Sequence, residues 1–553
     1  MSAAAAARDR SEGAPLSHRQ ILIVFAGLML GVLLAALDQT IVATALPKIV
    51  FHLHGFAQLS WVVSAYLLAS TVTTPLYGKF SDLYGRKIVF QFAIVVFLVG
   101  SALSGLSQNM DQLIAFRAVQ GLGAGGLLAL AMAIIGDVVA PRERGRYQGL
   151  FGAVFAFASV VGPLVGGVIV EHFSWRWIFY INIPIGIVAL AVTTSVLRLP
   201  FRRQPHRIDY LGSALLVGGV SALLLVTVWG GAEYPWSSGV ILGLAGIGIA
   251  LLVVFGWWET VAAEPLLPPR LFRNDVFNVS SGMSFLIAMA MFGAIVYLPF
   301  YFQVVRGVTP IMSGLMVLPM MAGILTASIS SGRMVTRTGR YRVYPLAGTV
   351  TMTAGMAAMT LVGASTPYGE LALFMVLLGA GMGMVMQNVV LATQNAVEVE
   401  VLGTATSGLM FFRSLGAVFG TAMFGAIFVN RINAWLPRLL PAGIRSSLHI
   451  HASASGFNIA PDALHRMPVG VQVAVTQAFV HSIHTVFVVA VPFAALSILF
   501  ALRLREIPLR KTTAISQPAP AGEVAVAGDA AEATSGGGID AGIGAGVEVG
   551  TVG

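Results

Sequence analysis

Asp38 is a carboxylate set inside one apolar stretch of the chain, and Arg117 is a guanidinium set inside another. An ionisable side chain in hydrocarbon costs several kcal/mol unless it meets a partner or water, so residues of this kind do chemistry by default. Asp38 lies about eight residues, roughly 12 Å at helical rise, from the far end of the first stretch (20–46), and Arg117 about 9 Å into the fourth (111–138). The two depths are similar. Desolvation and a neighbouring cation act on a carboxyl in opposite senses, which is the condition for a group that gains and loses a proton. The other reading is a permanently ionised Asp38 that only holds Arg117 in place.

A second set of charges sits between stretches: Gly78-Lys79-Phe80-Ser81-Asp82-Leu83-Tyr84-Gly85-Arg86-Lys87. Gly78 and Gly85 permit a tight turn, and Asp82 suits a helix N-terminus, whose partial positive charge favours an acid. A degraded copy, Gly332 to Arg340, follows 254 residues later. Two such hairpins in matching places indicate a duplicated helical bundle. They fit a contact that biases one conformation, or cations that serve topology alone. Gly152 and the run Gly162-Pro163-Leu164-Val165-Gly166-Gly167 bend and thin the fifth stretch. Arg413 stands about ten residues into the thirteenth stretch, in a half with no acid well inside any stretch: Glu370, Glu398 and Glu400 fall at ends or in loops. Carbonyls, water or an anionic group on a ligand are its possible partners. Phe292, Tyr297, Met320 and Met384 could line an adaptable apolar pocket. His449, His451 and His465 have no metal-like spacing, and no metal site is expected.

These residues must be held by helices in lipid. Of 553 residues, 57% are hydrophobic and 10% charged, against about a quarter charged in soluble domains. Stretches near 20 residues long recur, each able to cross about 30 Å of hydrocarbon. The spacing predicts an all-α polytopic membrane protein with fourteen spans, and 62 glycines suit close helix packing. The net charge of +9 does not point to nucleic acid: Lys and Arg concentrate in alternate loops (79–87, 141–146, 198–207, 270–273, 332–342), which puts both termini in the cytoplasm. Without cysteine, disulfides and thiolate chemistry are excluded.

The expected divisions are an N-terminal tail (1–19), a six-helix half (20–199), two inserted helices (209–258), and a second six-helix half (276–503). That half contains a long extracytoplasmic loop (430–479), and an Ala/Gly/Ser-rich tail (512–553) follows, expected to be disordered.

The chain resembles the major facilitator superfamily, and within it the fourteen-span drug:proton antiporters of the EmrB/QacA type. The likeness covers roughly 20–511. It rests on Leu37 through Pro47, the 78–87 hairpin, Leu113 through Arg117 with Gln120, Gly121 and Gly123, the Gly152/Gly162–Gly167 pattern, Trp175 through Pro184, and Phe412-Arg413-Ser414-Leu415-Gly416. The resemblance implies a major facilitator fold of two six-helix halves plus two inserted helices. It also implies a proton-transfer role for Arg117 beside Asp38 and an antiporter role for the fifth-span glycines. A latch is implied too, in which Asp82 caps a helix beginning near Gly403 and Arg86, next to Lys87, pairs with Asp137.

The implied function is proton-coupled efflux of amphiphilic drugs across the plasma (inner) membrane, powered by the proton gradient without a cofactor. The implied partners are a small amphiphilic substrate, protons, membrane lipids and a periplasmic adaptor. Missing carboxylates in the second half disfavour dicationic drugs. A dedicated exporter of one endogenous metabolite or lipid, and a membrane scaffold that docks an adaptor, stay open. No nucleotide loop or catalytic-triad spacing is present, so an enzyme is not expected.

Overall fold

The structure is a computed structural model that describes residues 18–53, 59–139, 141–196, 209–230, 234–308, 310–440 and 468–509. Most of the expected tails, the 198–207 loop and the stretch 441–467 lie outside the described residues.

Fourteen helices of at least 15 residues stand in the described chain. They are α1 (His18–His52), α2 (Leu59–Tyr84), α3 (Arg86–Leu106), α4 (Met110–Val138), α5 (Pro141–His172), α6 (Asn182–Val196) and α7 (Tyr210–Trp229). The remainder are α8 (Gly239–Val261), α9 (Asp275–Phe300), α10 (Leu318–Thr338), α11 (Val343–Met359), α12 (Tyr368–Ala396), α13 (Leu402–Leu439) and α14 (Val469–Arg503). Ten segments of the described chain are long and apolar enough to cross a membrane, two of which, Trp177–Ser195 and Met312–Thr338, begin before α6 and α10. Helix starts are set by side chains that accept the first free amides: Asn109 caps α4, Asp209 α7, Ser238 α8 and Asn274 α9. Several boundaries differ from the sequence expectation: α2 runs to Tyr84, so Gly78 lies within it and only Gly85 makes the turn, α10 runs to Thr338, and α5 begins at Pro141, which makes helix of most of the expected 79–87, 332–342 and 141–146 loops. The longest extensions lie at the far end of the second bundle. α13 runs to Leu439 rather than 429, and α14 begins at Val469 rather than 480, so the long loop is shorter than its composition suggests. Both extensions carry apolar residues such as Ile432, Leu436, Val471 and Val475 that are buried in one shared hydrophobic cluster.

The helices form two bundles that repeat the same packing. In the first, α4 packs on α2 and α3, and α1 on α5 and α6; in the second, α12 packs on α10 and α11, and α9 on α13 and α14. The glycines repeat with it. Gly121 and Gly125 of α4 bring the α2 backbone close, while Gly123 faces α3; Gly379 and Gly383 of α12 meet α10 in the same way, and Gly381 meets α11. A Cβ at any of these would strike backbone, so the helices approach this closely only without side chains. Both charged hairpins turn on a glycine with positive φ, Gly85 at 93° and Gly339 at 73°, a conformation other residues rarely adopt.

Two seams join the bundles. At one, α5 meets α10; at the other, α2 meets α13. The inserted pair α7–α8 packs on the second seam, where Val72 of α2, Leu216, Val220 and Leu224 of α7, Phe255 of α8 and Phe411 of α13 bury together with Leu266 and Leu267.

Candidate functional site

α1, α3, α4 and α6 bring one carboxylate and its partners to a single point inside the first bundle. Arg117 donates from Nη1 to Asp38 Oδ2 at 2.6 Å. Gln120 Nε2 and Asn182 Nδ2 both donate to Asp38 Oδ1, at 2.8 and 3.1 Å. Asp38 and Arg117 are 0% and 1% exposed. Arg117 is itself fixed: Nη1 also reaches Gln120 Oε1 at 2.8 Å, Nε donates to the Val62 carbonyl at 3.3 Å, and the guanidinium lies 4.3 Å from the centre of the Tyr66 ring. Ser101 closes the set, accepting from Asn182 Nδ2 at 3.0 Å and donating to the Phe179 carbonyl at 2.8 Å.

Three donors satisfy the buried carboxylate, and removal of one partner of such a buried pair destabilises by about 3–5 kcal/mol. The side chains form one connected network, so a change at Asp38 reaches Arg117, Gln120 and Asn182 together. Gln120 and Asn182 lie in the motifs quoted above, which do not by themselves reveal that both converge on Asp38. The spacing of Gln120 three residues after Arg117, on the same helix face, was the available signal. Ser101 and Tyr66 carried none.

The hairpin forms a second cluster. Asp82 Oδ2 accepts from the Thr404 backbone N–H and from Thr404 Oγ1, both at 2.7 Å, at the start of α13. Arg86 pairs with Asp82, bonds Ser81 Oγ, and donates from Nε to Asp137 at 2.7 Å. Gly78 lies against Ser407 and the Gly403 carbonyl, where a side chain would collide. Lys87 donates instead to the Thr194 carbonyl at 2.7 Å, inside its own bundle. Nearby, Gln394 Nε2 of α12 donates to the Met132 carbonyl of α4 at 3.0 Å. The two bundles are thus closed against each other at this end, termed here the latch end.

Gly162 sits against Thr40, two residues beyond Asp38, and Thr40 Oγ1 donates to the Ala158 carbonyl at 3.0 Å. Gly166 is buried, and nothing lies within 4 Å of a Cβ built on Gly167. Gly152 faces the other bundle, with Ile324 and Ser328 of α10 at 3.8–4.0 Å from its Cβ position. The side chains of Pro163 and Phe292 lie outside the described residues. Tyr297 packs on the Phe428 ring at 4.9 Å and Met320 is 1% exposed, so both fill the second bundle in this conformation. Met384 is half-buried, its Cβ beside Gly348 of α11. Arg413 is partly buried and makes no hydrogen bond or ion pair among the described residues.

The sequence profile of the Major Facilitator Superfamily matches residues 28–421. The chain belongs to the major facilitator superfamily. Membership makes it a multi-pass membrane transporter that carries small molecules, and not an enzyme. It is 43% identical over 501 residues to an uncharacterised MFS-type transporter of Mycobacterium tuberculosis, covering 90% of this chain and 72% of the relative. It is 36% identical over 522 residues to the multidrug transporter protein MdtP of Bacillus subtilis, covering 91% and 96%. Among solved structures, the proton:xylose symporter XylE superposes with a TM-score of 0.60 at 14% identity, covering 89% of this chain and 97% of that one, and shows the shared superfamily fold.

Proposed function

We propose that this major facilitator protein is a proton-coupled exporter of amphiphilic compounds, of the fourteen-span EmrB/QacA type. It resides in the plasma membrane with both termini and the latch end cytoplasmic. The observation that carries the proposal is the Asp38 cluster: a fully buried carboxylate in the first apolar helix, tied to an arginine on α4. The likeness to MdtP, a multidrug transporter protein of Bacillus subtilis, supports export as the direction of work.

The cycle follows from the contacts. A proton on Asp38 removes the charge that holds Arg117, whose Nε also grips the Val62 carbonyl of α2. Twenty residues along that helix, about 30 Å at 1.5 Å per residue, Asp82 holds the start of α13. α2 therefore joins the proton-binding site to the latch, and loss of the Arg117 contact alters the balance between latched and unlatched arrangements. Asp38, Arg117, the hairpin and the fifth-helix glycines form one train of contacts.

The test is transport by the purified full chain in vesicles with an imposed pH gradient, against neutral, cationic and anionic amphiphiles. The wild type accumulates at least one class when the gradient is present. Asp38→Asn, expressed to the same level, does not respond to the gradient. Undiminished gradient-driven transport by that variant overturns the proposal.

A further inference from the structure

The wall where α9, α13 and α14 meet holds a cavity of about 400 Å³. α14 packs on α9, α11 and α13 of its own bundle and stands at neither seam. Leu496 of α14 lines the cavity and is 42% exposed, while Leu499 and Leu502 beside it are 57% and 51% exposed. Large apolar side chains left open on such a helix face lipid tails, which are as apolar as they are. The cavity is therefore a groove in the outer wall, not part of the space between the bundles. Phe285, Phe412, Leu415 and Phe500 give it an apolar lining.

The groove changes character along its length. Its rim at the latch end is cationic. Phe272 lines the groove and Arg273 follows it directly; Phe500 lines it and Arg503 stands one turn further on. Both arginines are exposed, and neither pairs with an acid among the described residues. Asp275, one turn before the lining residue Asn278, meets Arg505 at 3.2 Å, so the start of α9 and the end of α14 adjoin at this rim. Glu506, the other acid nearby, lies with Arg342 beside Tyr341 of the second hairpin. Asp275 thus matches Arg505 and Arg342 offsets Glu506, which leaves Arg273 and Arg503 in surplus. Deeper in, Ser281 lines the cavity, is 5% exposed, and has an Oγ with no hydrogen-bond partner. One turn beyond it, Phe285 and Leu286 of α9 face the cavity with Leu415 and Leu496.

Surplus cations, an unused hydroxyl and an apolar slot follow one another here in the order of phosphate, ester and chain in a phospholipid. We propose that this groove binds an anionic phospholipid of the leaflet at the latch end. Arg273 and Arg503 take the phosphate, as basic pockets between membrane helices hold acidic headgroups, and the guanidinium fork meets two phosphate oxygens at once. Ser281 Oγ donates to an ester carbonyl, and one acyl chain lies among Phe285, Leu415, Leu496 and Phe500. A zwitterionic lipid brings the same esters and chains, but its own cation offsets the phosphate, so the two arginines favour the anionic kind. The inference needs the chain in a bilayer and does not depend on proton coupling.

The experiment uses the full chain in phosphatidylcholine nanodiscs with a trace of photoreactive lipid, its diazirine midway along one acyl chain. Phosphatidylglycerol and phosphatidylcholine forms of that lipid are compared, and labelled peptides are read by mass spectrometry. The phosphatidylglycerol form labels Phe285, Leu415 and Leu496 at least about fivefold more, the scale of one arginine beside an acidic headgroup. Val253 and Trp257, exposed on α8, are labelled equally by both. Arg273→Gln combined with Arg503→Gln removes the preference and keeps the phosphatidylcholine yield within about twofold, since the apolar slot is untouched. Leu496→Trp fills the slot, lowers labelling of α9 by both lipids, and leaves that of α8 unchanged. Equal labelling of the wild-type groove by the two lipids overturns the proposal. So does a preference that survives the double substitution or is as large on α8, or labelling of α9 that Leu496→Trp does not lower. Should the double variant not fold, the wild-type comparison of groove with α8 decides alone. Labelling needs no substrate and no pH gradient, so a retained preference with absent gradient-driven transport removes the coupling mechanism and leaves the lipid site.

Discussion

Neutralising Asp82 should open the latch by an amount the contacts specify. Its Oδ2 accepts two hydrogen bonds from Thr404 across the bundle interface, each 2.7 Å long. Hydrogen bonds to an ion contribute about 1.5–3 kcal/mol each, roughly twice the neutral kind. Asp82→Asn retains an acceptor and loses the charge, so the latched state loses about 1.5 kcal/mol at the least, close to tenfold in population. Arg86 keeps Asp137 as its partner, so the substitution leaves no cation stranded. Ser407 reports the change. It is 1% exposed and covered by Gly78 in the closed arrangement, and the chain has no cysteine of its own. A Ser407→Cys protein reacts with a water-soluble maleimide only while the latch end is open, so its labelling rate follows the open fraction. Adding Asp82→Asn should raise that rate about tenfold. A change of less than twofold would refute the reasoning and reduce the hairpin to a topological signal.

Cysteines at Gly152 and Ser328 should form a disulfide, because the two Cβ positions are 4.0 Å apart, within the usual range of about 3.5–4.5 Å; oxidation should stop transport and a reductant restore it, measured on one vesicle preparation. Gly162→Ala should lower thermal stability by about 1–3 kcal/mol through collision with Thr40, and adding Thr40→Gly should recover part of the loss. Glu259 accepts the Leu266 and Leu267 amides at 3.2 and 2.9 Å, so Glu259→Ala strands two buried donors at about 1–3 kcal/mol each. Tryptic cleavage after Arg270 should then accelerate severalfold, and an unchanged cleavage rate would argue against that clamp.

The duplicated hairpins and the depth match of Asp38 and Arg117 could be read from the chain because charges are conspicuous in apolar helices. The azimuth of each helix could not. In water, polar and apolar faces differ and reveal which side is buried. In lipid, both faces of α4 are apolar, and nothing in its composition says that Gln120 meets Asp38 while Leu122 is exposed. Tyr297 and Met320 were grouped as pocket residues for the same reason, since an apolar side chain looks alike in a cavity and in a core. The glycines were legible only as a tendency to pack closely. That Gly121, Gly123 and Gly125 serve two different neighbours, and that Gly379, Gly381 and Gly383 repeat the arrangement, required the helices in place.

The inserted pair α7–α8 makes the two seams unlike. Leu216, Val220 and Leu224 lie along the α2–α13 join like a gasket, and Lys79 reaches Glu264 at 3.8 Å to moor the strip to the first bundle. In the proposed transport cycle α13 has to slide beneath this cover, whereas among the described residues no such inserted pair lies over the α5–α10 join. On the proposed export reading, a substrate entering sideways from the bilayer meets a covered flank at the α2–α13 join and an uncovered one at the α5–α10 join.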